Sequence, residues 1–410
     1  MKRFCSALVA TGLVFPVVAY ANEAGAVQSE NNIKFYGFVR FDGTHDLGSN
    51  NTANGDWASF LQSQPIEGSI DSRKRGGTYL TARTSRFGFD GKLAGGTVGF
   101  KLEGDFNGTT AEGGQTGRAT NNETGLRIRH AYVEIHNWLV GQTWSNYEDF
   151  AGLPETVQFN PSLTAAAPRQ AQVRYTFNLP ASQLSFAVEN GGSSVPYDRH
   201  TTSDPDFDKS VDVTARWSKS GDWGHVSARM ASVGYSTTKD GVTNSARGYQ
   251  AGLSGSTVVS TGRFVYGAFT GNGGGRYAWG SLFQGAVLTN SGIRLFESHG
   301  SHVGYTHNWS GTQRSNLAYS VVNFANNPNA IGNESNKKLS QMHVNLISNV
   351  AKNTELGVEY AYGKRTLMNP TAANYGVEKR LNVALTRQSI LSCSPRCNFK
   401  PCFTMQGARY

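Results

Sequence analysis

Short runs in which apolar and polar residues alternate recur along the whole chain, about sixteen of them by strand-pattern criteria. The clearest spans residues 97–106, where Phe100 and Leu102 fall on one face and Lys101 and Glu103 on the other. Successive side chains of an extended strand point to opposite sides, so a period of two indicates β-strands with one apolar and one polar face. The chain is therefore predicted to be all-β.

The connections between these runs alternate in length. A soluble sandwich has no reason to lengthen every second connection, whereas an up-and-down outer-membrane barrel has short turns at one end and long loops at the other. The long connections lie near residues 48–77, 107–124, 145–170, 190–210, 270–300, 325–338 and 364–376, with a shorter one near 236–246, and the tight ones near 90–92, 136–138, 179–181, 218–223, 308–312 and 349–354.

A sheet that spans a bilayer must close on itself, because lipid offers no hydrogen-bond partners to an open edge. Beyond the N-terminal region, the chain has no stretch of about eighteen apolar residues that would form a membrane-spanning helix. These features predict a transmembrane up-and-down antiparallel β-barrel of about sixteen strands. Tryptophans near strand ends fit the aromatic girdles of such barrels, although turn packing in a soluble β-protein explains them too: Trp138, Trp144, Trp217, Trp223 and Trp309.

The N-terminus has the features of an export signal. A basic Met-Lys-Arg start precedes a mostly apolar run over residues 4–20, which ends in an Ala-Tyr-Ala pattern that a signal peptidase cleaves. We expect residues 1–21 to be a cleaved signal peptide and residues 22–386 to form the barrel. The expected location is the outer membrane of a Gram-negative bacterium.

Much of the net charge of +9 lies outside the predicted barrel. Lys2 and Arg3 contribute two charges and the segment after residue 386 contributes four, so an excess of only three remains. Nucleic-acid binding would need positive charge clustered on one face, which so small an excess does not indicate.

Charged residues on the polar faces of the strands would point into a water-filled pore, where fixed charges select ions through their field. The same charges on a merely solvated face would select nothing, and the sequence leaves both interpretations open. The alternation places these residues on the inner side: Arg40, Arg86, Arg174, Arg216, Arg229, Glu103, Asp105, Glu189 and Glu359.

Arg127 and Arg129 break the alternation. They share parity with Ala131 and Val133, so an uninterrupted strand would turn both arginines toward lipid. We expect a bulge or a change of environment near His130, with both arginines inside the barrel or above the membrane.

Six short motifs carry a family resemblance. They are Ser-Arg-Phe-Gly-Phe at 85–89, Lys-Leu-Glu-Gly-Asp-Phe at 101–106, Arg-His-Ala-Tyr at 129–132, Gly-Gln-Thr-Trp-Ser at 141–145, Leu-Pro-Glu-Thr at 153–156 and Gln-Val-Arg-Tyr-Thr-Phe at 172–177. The first two resemble trimeric Gram-negative porins, and the other four look most like the DcaP-like porins. The resemblance is densest over residues 35–177 and continues more weakly to residue 386.

The resemblance implies a homotrimer of barrels with about sixteen strands each, in which the third extracellular loop folds inward and narrows the pore. It also implies passive diffusion of small hydrophilic solutes such as dicarboxylates and aromatic acids. An excess of arginines would favour anions, because a guanidinium binds a carboxylate through two parallel hydrogen bonds. Carried onto this sequence, the constriction loop holds Glu148, Asp149 and Glu155, the facing basic wall holds Arg40, Arg86, Arg127, Arg129 and Arg174, and Arg216 adds to the pore lining.

Two features depart from that family. Some members carry a long helical segment ahead of the barrel, whereas here about ten residues separate Ala21 from Ile33, too few for a coiled coil. Trimer contacts are therefore expected from the barrel walls. Residues 387–410 lack the alternation with which such barrels end, and they contain three cysteines and no acidic residue. We interpret this tail as a frame-shifted end, since its cysteine spacing lacks a fourth metal ligand.

Two other functions stay open at this point, a barrel enzyme and an adhesin without a channel. An enzyme would need a nucleophile beside an oriented histidine, and no local Ser/His pattern marks one. The absence of internal repeats and the alternating loop lengths count against an adhesin. We predict no catalytic residue, cofactor or metal. The expected partners are small anionic solutes, outer-membrane lipid and lipopolysaccharide, the last bridged by divalent cations to the acidic residues at 204–208.

Overall fold

The computed structural model describes residues 32–49, 59–73, 75–108, 125–166, 168–191, 210–239, 241–282, 284–325, 335–368 and 374–393. The strands are β1 (Asn32–Ser49), β2 (Arg75–Thr81), β3 (Arg86–Leu93), β4 (Val98–Gly108), β5 (Gly125–Ile135), β6 (Trp138–Trp144), β7 (Arg169–Leu179), β8 (Ser182–Glu189), β9 (Asp212–Gly221), β10 (Gly224–Lys239), β11 (Val242–Val259), β12 (Gly262–Asn272), β13 (Ala286–Thr289), β14 (Gly292–Leu295), β15 (Glu297–Asn308), β16 (Gln313–Phe324), β17 (Asn336–Ala351), β18 (Thr354–Leu367) and β19 (Tyr375–Cys393). No helix within the described ranges is long and apolar enough to cross a membrane.

The strands close into an antiparallel barrel. Neighbouring wall strands pair in chain order, and β1 pairs with β19 from Ile33–Cys393 to Asp46–Arg380. Both β2 and β3 pair with β1, so they form one interrupted wall strand, and the wall has sixteen strands. The predicted barrel and its strand number are confirmed. Strands β13 and β14 form a separate hairpin within the connection from β12 to β15.

On β1 and β4 the predicted apolar and polar faces are the outer and inner faces of the barrel. Val39 is 67% exposed on β1, whereas Asp42 is only 5% exposed. On β4, Leu102 is exposed while Glu103 and Asp105 are buried. Lipid solvates the outer apolar side chains, and the inner polar ones find hydrogen-bond partners across the lumen.

The bulge predicted near His130 is present. Glu103 of β4 pairs with His130 of β5, and the next pair is Gly104 with Ile128, which leaves Arg129 as the extra residue. One inserted residue reverses the parity of the residues that precede it. Arg127 and Arg129 therefore lie on the same inner side as His130.

The last strand continues beyond the predicted end of the barrel. Residues Arg387 to Cys393 extend β19 and pair with Val39 to Ile33 of β1. A boundary after Thr386 therefore falls inside this strand. The predictions on the signal peptide, the acidic loop and the far end of the tail concern residues outside the described ranges, namely 1–31, 204–208 and 394–410.

Seven short connections lie at one end of the barrel, which we call the short-turn end, and the long connections lie at the other end together with the two-residue link between β10 and β11. Two of the short turns place His136 and Asn353 in the left-handed region, with φ of 53° and 55°. This backbone conformation is several-fold enriched in Asn and His. The position of an inner side chain along the barrel axis then follows from its distance in residues from the nearest short turn.

Candidate pore constriction

The connection from β6 to β7, residues 145–166, is held against inner side chains of the barrel; we call it the β6–β7 connection. At its start, Ser145 Oγ donates to Glu189 Oε1 on β8 at 3.0 Å, and the Asn146 backbone N–H donates to the same oxygen at 2.8 Å. The side chain of Asn146 also donates to the Ser185 carbonyl. The chain thus leaves β6 along the inner face of the next hairpin.

The middle of the connection contacts residues close to the short-turn end. His225 Nε2 lies 2.8 Å from Asp149 Oδ1. Arg263 donates to the Ala151 carbonyl. Each partner stands in the first two residues of its strand after a short turn, β10 for His225 and β12 for Arg263. The same part of the connection also contacts residues farther along their strands, since Asp149 accepts a hydrogen bond from Ser254 on β11 and the Gly152 carbonyl lies 2.7 Å from His302 on β15.

Glu359 on β18 anchors the next part through its carboxylate. It accepts the backbone N–H groups of Val157 at 2.7 Å and Gln158 at 3.1 Å, and His343 Nδ1 lies 3.2 Å from it. Arg40 on β1 donates to the Val157 carbonyl at 2.5 Å. Because one buried carboxylate satisfies two successive backbone donors, it fixes the path of the chain there.

The three acidic residues predicted for the constriction differ in their surroundings. Burial raises the pKa of Glu148 to about 8, and its Oε2 atom has no hydrogen-bond partner within the described residues. Burial also disfavours ionised Asp149, but hydrogen bonds from His225 and Ser254 outweigh this and lower its pKa. Glu155 accepts two hydrogen bonds from Arg314 on β16, at 2.6 and 2.8 Å.

Two of the predicted wall arginines share a pair of carboxylates. Arg127 makes a bidentate contact with Asp105, at 3.0 and 2.7 Å. Arg129 is only 2% exposed and bridges Glu103 at 2.7 Å and Asp105 at 2.9 Å. Arg86 stands 4.0 Å from Glu103. The bulge in β5 makes this cluster possible, because it turns both β5 arginines toward the inner side of β4.

The remaining predicted arginines, Arg40, Arg174 and Arg216, each make a different kind of contact. Arg40 pairs with Asp42 at 2.7 Å. Arg174 on β7 donates to Gln172 and to the Trp144 carbonyl at 2.7 Å, and no carboxylate is bonded to it in the described part of the chain. Arg216 donates at 2.6 Å to the Glu148 carbonyl, so it contacts the β6–β7 connection itself.

Sequence reasoning missed an aromatic and cationic group beside these arginines. Trp144 has the Arg169 guanidinium 4.6 Å and the Arg129 guanidinium 5.7 Å from its ring centroid. Phe150 lies 5.0 Å from the Trp144 ring and is 52% exposed. Simple parity gives Arg169 the same side as outward-facing Val173, so the alternation carried no signal for it.

Sequence reasoning also missed three residues that anchor the β6–β7 connection, namely His225, Arg263 and Arg314. The alternation of side chains contained a signal for Arg314. Arg314 shares parity with Asn316, a buried inner residue of β16, so its inward direction follows from the alternation. Its pairing with Glu155 does not, since 159 positions separate the two. Chemically, the arrangement combines a row of guanidinium groups with an exposed aromatic surface.

Comparisons with known proteins agree with this architecture. A family model described as DcaP outer membrane protein matches residues 20–384. The outer membrane channel DcaP of Acinetobacter baumannii is 25% identical with a TM-score of 0.74, over 88% of this chain and 98% of that one. No curated protein sequence matches the chain.

Two further solved structures share the fold. The anion-selective porin from Comamonas acidovorans is 14% identical with a TM-score of 0.56, over 88% of this chain and 100% of that one. OmpT of Vibrio cholerae in its trimer form is 10% identical with a TM-score of 0.54, over 87% and 99%. Since the family match spans most of the chain, the protein belongs to the DcaP family of outer-membrane channels, which are porins and not enzymes.

Proposed function

We propose that this porin lets small hydrophilic solutes diffuse across the outer membrane and favours anions. The observation that carries the proposal is the division of charge around the lumen. Of six arginines on strands β1 to β7, four form ion pairs with three carboxylates, and the other two form none within the described residues: Arg40, Arg86, Arg127 and Arg129 pair with Asp42, Glu103 and Asp105, and the two without a carboxylate are Arg169 and Arg174. The excess positive charge gives this side of the lumen a field that attracts anions.

In this proposal the acidic side chains of the β6–β7 connection are held away from the basic side. Asp149 and Glu155 are bonded to His225 on β10 and Arg314 on β16, and Glu148 has a raised pKa. We take the connection to be the inward-folded loop that narrows the pore. Its contacts with inner residues of β8, β10, β12, β16 and β18 support this, as does the position of several of them near the short-turn end.

Small carboxylates, including dicarboxylates and aromatic acids, are the solutes that these side chains suit. Guanidinium groups bind carboxylates bidentately, and Arg174 has no competing carboxylate bonded to it in the described residues. Phe150 and Trp144 add an apolar surface beside Arg169 on which a planar ring can stack. An aliphatic dicarboxylate would use the arginines alone.

We also propose that the protein is a homotrimer embedded in outer-membrane lipid and lipopolysaccharide. The family resemblance implies trimers, and the trimer form of the OmpT structure shows that this fold is compatible with such an assembly. The outer apolar belt, with Val39 and Leu102 among its exposed residues, suits contact with lipid and with a neighbouring copy. Channel openings in groups of three would support the trimer.

The first test is the reversal potential of single channels in a planar bilayer under a salt gradient. The variant Arg86→Gln with Arg174→Gln removes two positive charges from the basic side. One unit charge acting at about 4 Å in water is worth about 1 kcal/mol, so we expect a roughly fivefold loss of the anion-to-cation permeability ratio for each.

Arg247→Gln is the matched control, because Arg247 is exposed and bonds to Ser232 and to the Val211 carbonyl. Its reversal potential should equal that of the unaltered protein. An unaltered pore that prefers cations, or a double variant with unchanged anion preference, would remove the charge proposal and leave the channel. Folded barrels that never conduct would remove the channel proposal as well.

A further inference from the structure

A second long connection packs directly on the β6–β7 connection. It runs from β12 to β15, residues 273–296, and we call it the β12–β15 connection. The Trp279 backbone N–H donates to the Ala165 carbonyl at 2.7 Å, and the Gly280 N–H donates to the Leu163 carbonyl at 2.8 Å. Two main-chain hydrogen bonds thus tie the returning arm of the β6–β7 connection to another loop.

Tyr277 fixes the β12–β15 connection to the barrel wall at this point. Its side chain is fully buried, and its hydroxyl donates to Asp212 on β9 at 2.8 Å. Its ring centroid lies 5.4 Å from that of Tyr147 in the β6–β7 connection. Gln250 on β11 donates to the Tyr277 carbonyl at 2.7 Å and to the Tyr147 hydroxyl at 3.2 Å. One wall residue therefore holds both connections.

An apolar cluster joins the same two connections farther along. Leu163 comes from the β6–β7 connection and Ala278 from the β12–β15 connection, and both are buried with Val322 and Leu339 of the wall. Removal of these apolar side chains from water stabilises the contact between the two connections. This is the packing of a small protein core, placed inside the lumen between two loops and the wall.

We infer that the β12–β15 connection is a brace that sets the position of the constriction, with Tyr277 and Gly280 as its positioning residues. Residues 157–158 of the β6–β7 connection are fixed by Glu359 of the wall. In the returning arm, residues 162–166, the Thr164 side chain contacts His302 of the wall, whereas the carbonyl groups of Leu163 and Ala165 accept their hydrogen bonds from the brace. The inference rests on the proposed function, since a brace affects permeation only where the β6–β7 connection narrows the pore.

Gly280→Ala tests the brace by a single added methyl group. The new Cβ would lie 2.9 Å from Val322 Cγ2, 3.2 Å from the Leu163 carbonyl oxygen and 3.3 Å from Leu163 Cβ, so Val322 must shift and Leu163 must give by a few tenths of an ångström. The matched control is Gly311→Ala in a short turn, where a Cβ meets nothing within 4 Å. We expect Gly280→Ala channels to lose their single steady conductance level and show frequent sub-states, while Gly311→Ala channels keep it.

Rescue by a covalent link separates positioning from general destabilisation. Leu163→Cys with Gly280→Cys joins the two connections, because 3.3 Å between the β-carbons is close to the 3.5–4.5 Å that is typical of disulfides, about 3.8 Å on average. Cys5, Cys393, Cys397 and Cys402 are changed to Ser so that only the new pair can oxidise. The oxidised channel should show one steady level, and reduction in the bilayer should bring the sub-states.

These outcomes distinguish the two proposals. Identical steady levels in the Gly280→Ala channel and in both redox forms of the cysteine pair would overturn the brace and leave the proposed function untouched. Failure of the proposed function would appear instead as unchanged selectivity on loss of Arg86 and Arg174. If Gly280→Ala does not fold, reduction of a barrel already folded in its oxidised form gives the same test.

Discussion

Glu148 is the one acidic residue of the β6–β7 connection whose two carboxylate oxygens are not both bonded in the described structure. Asp149 and Glu155 are bonded to His225 and Arg314, which lie 76 and 159 positions away along the chain. The sequence predicted the three acidic residues as one set because they are close together in it. Their different surroundings could not be predicted, since these depend on which distant inner side chains the loop meets.

The pH dependence of ion selectivity should follow Glu148. With a pKa of about 8, its carboxyl is mostly neutral at pH 7 and mostly ionised at pH 9, so the lumen near Arg216 and Arg229 gains a negative charge as pH rises. We expect the anion-to-cation permeability ratio to fall between pH 7 and pH 9, by up to about fivefold for one unit charge. Reversal potentials of single channels at fixed salt gradient measure this fall.

Glu148→Gln removes the titrating group and keeps nearly the same volume, so its reversal potential should be flat over this pH range. Asp222→Asn, which changes an exposed residue of a short turn, is the control and should keep the fall. The same pH-dependent fall of the permeability ratio in both Glu148→Gln and the control would rule out Glu148 as its source.

The burial of Glu148 also affects the free energy of unfolding. The unfolded chain loses this proton near the ordinary glutamate pKa, so between that pH and about 8 the unaltered protein loses stability that Glu148→Gln retains.

Among elements, strands were predictable and connections were not. The alternation of side chains along β1 and β4 gave their inner and outer faces, and the broken parity at Arg127 and Arg129 indicated the bulge in β5. Local chemistry decides both, because a bilayer separates apolar from polar faces. By composition the connections at 145–170 and 270–300 are both long and polar, and only the family resemblance singled out the first as a constriction loop. Their paths follow from contacts with each other and with the wall, which composition does not encode.

Strand β18 should hold the β6–β7 connection through Glu359. Glu359→Gln keeps one oxygen for the two backbone donors of Val157 and Gln158, and turns an NH2 group toward one of them. A buried donor left without a partner costs about 1–3 kcal/mol, so residues 157–158 should detach from β18 more often. We expect a noisier open-channel current and a higher rate of proteolytic nicking in this connection than in the unaltered protein.

Tyr360→Phe is the control for this variant, because it removes a hydroxyl from the adjacent, outward-facing position of the same strand. Its channels should behave as the unaltered protein does. Equal current noise and equal protease resistance in Glu359→Gln would mean that Arg40, Asn345 and the apolar contact of Val157 hold the connection without the carboxylate.

At the scale of the whole molecule, the rhythm of short and long connections was enough to predict a closed barrel of about sixteen strands. Physical necessity explains why, since lipid tolerates neither open edges nor unpaired backbone. The place where the barrel closes was less predictable. The side-chain pattern weakens after Leu385, yet β19 continues to Cys393, because β1 offers a row of backbone partners that any residue except proline can use.

Closure should therefore depend on the length of β19 more than on its side chains. A chain cut after Thr386 would leave Ile33 to Val39 of β1 without partners on that side, and each unpaired backbone group facing lipid costs several kcal/mol. A chain cut after Cys393 keeps every pair of the seam, including the buried contact of Arg380 with Asp46 at 2.6 Å. Heat-resistant migration in detergent gels and channel insertion into bilayers should be lost in the first chain and kept in the second.

Restoring seven residues of a different alternating sequence after Thr386 should recover the barrel, because it supplies the same backbone partners. If the chain cut after Thr386 forms heat-resistant, conducting barrels by itself, the pairs between Ile33–Val39 and the end of β19 contribute nothing to closure. If the replacement sequence fails while the native one succeeds, the side chains of residues 387–393 carry information that backbone pairing does not explain. Only recovery by the replacement fits a seam closed by strand length.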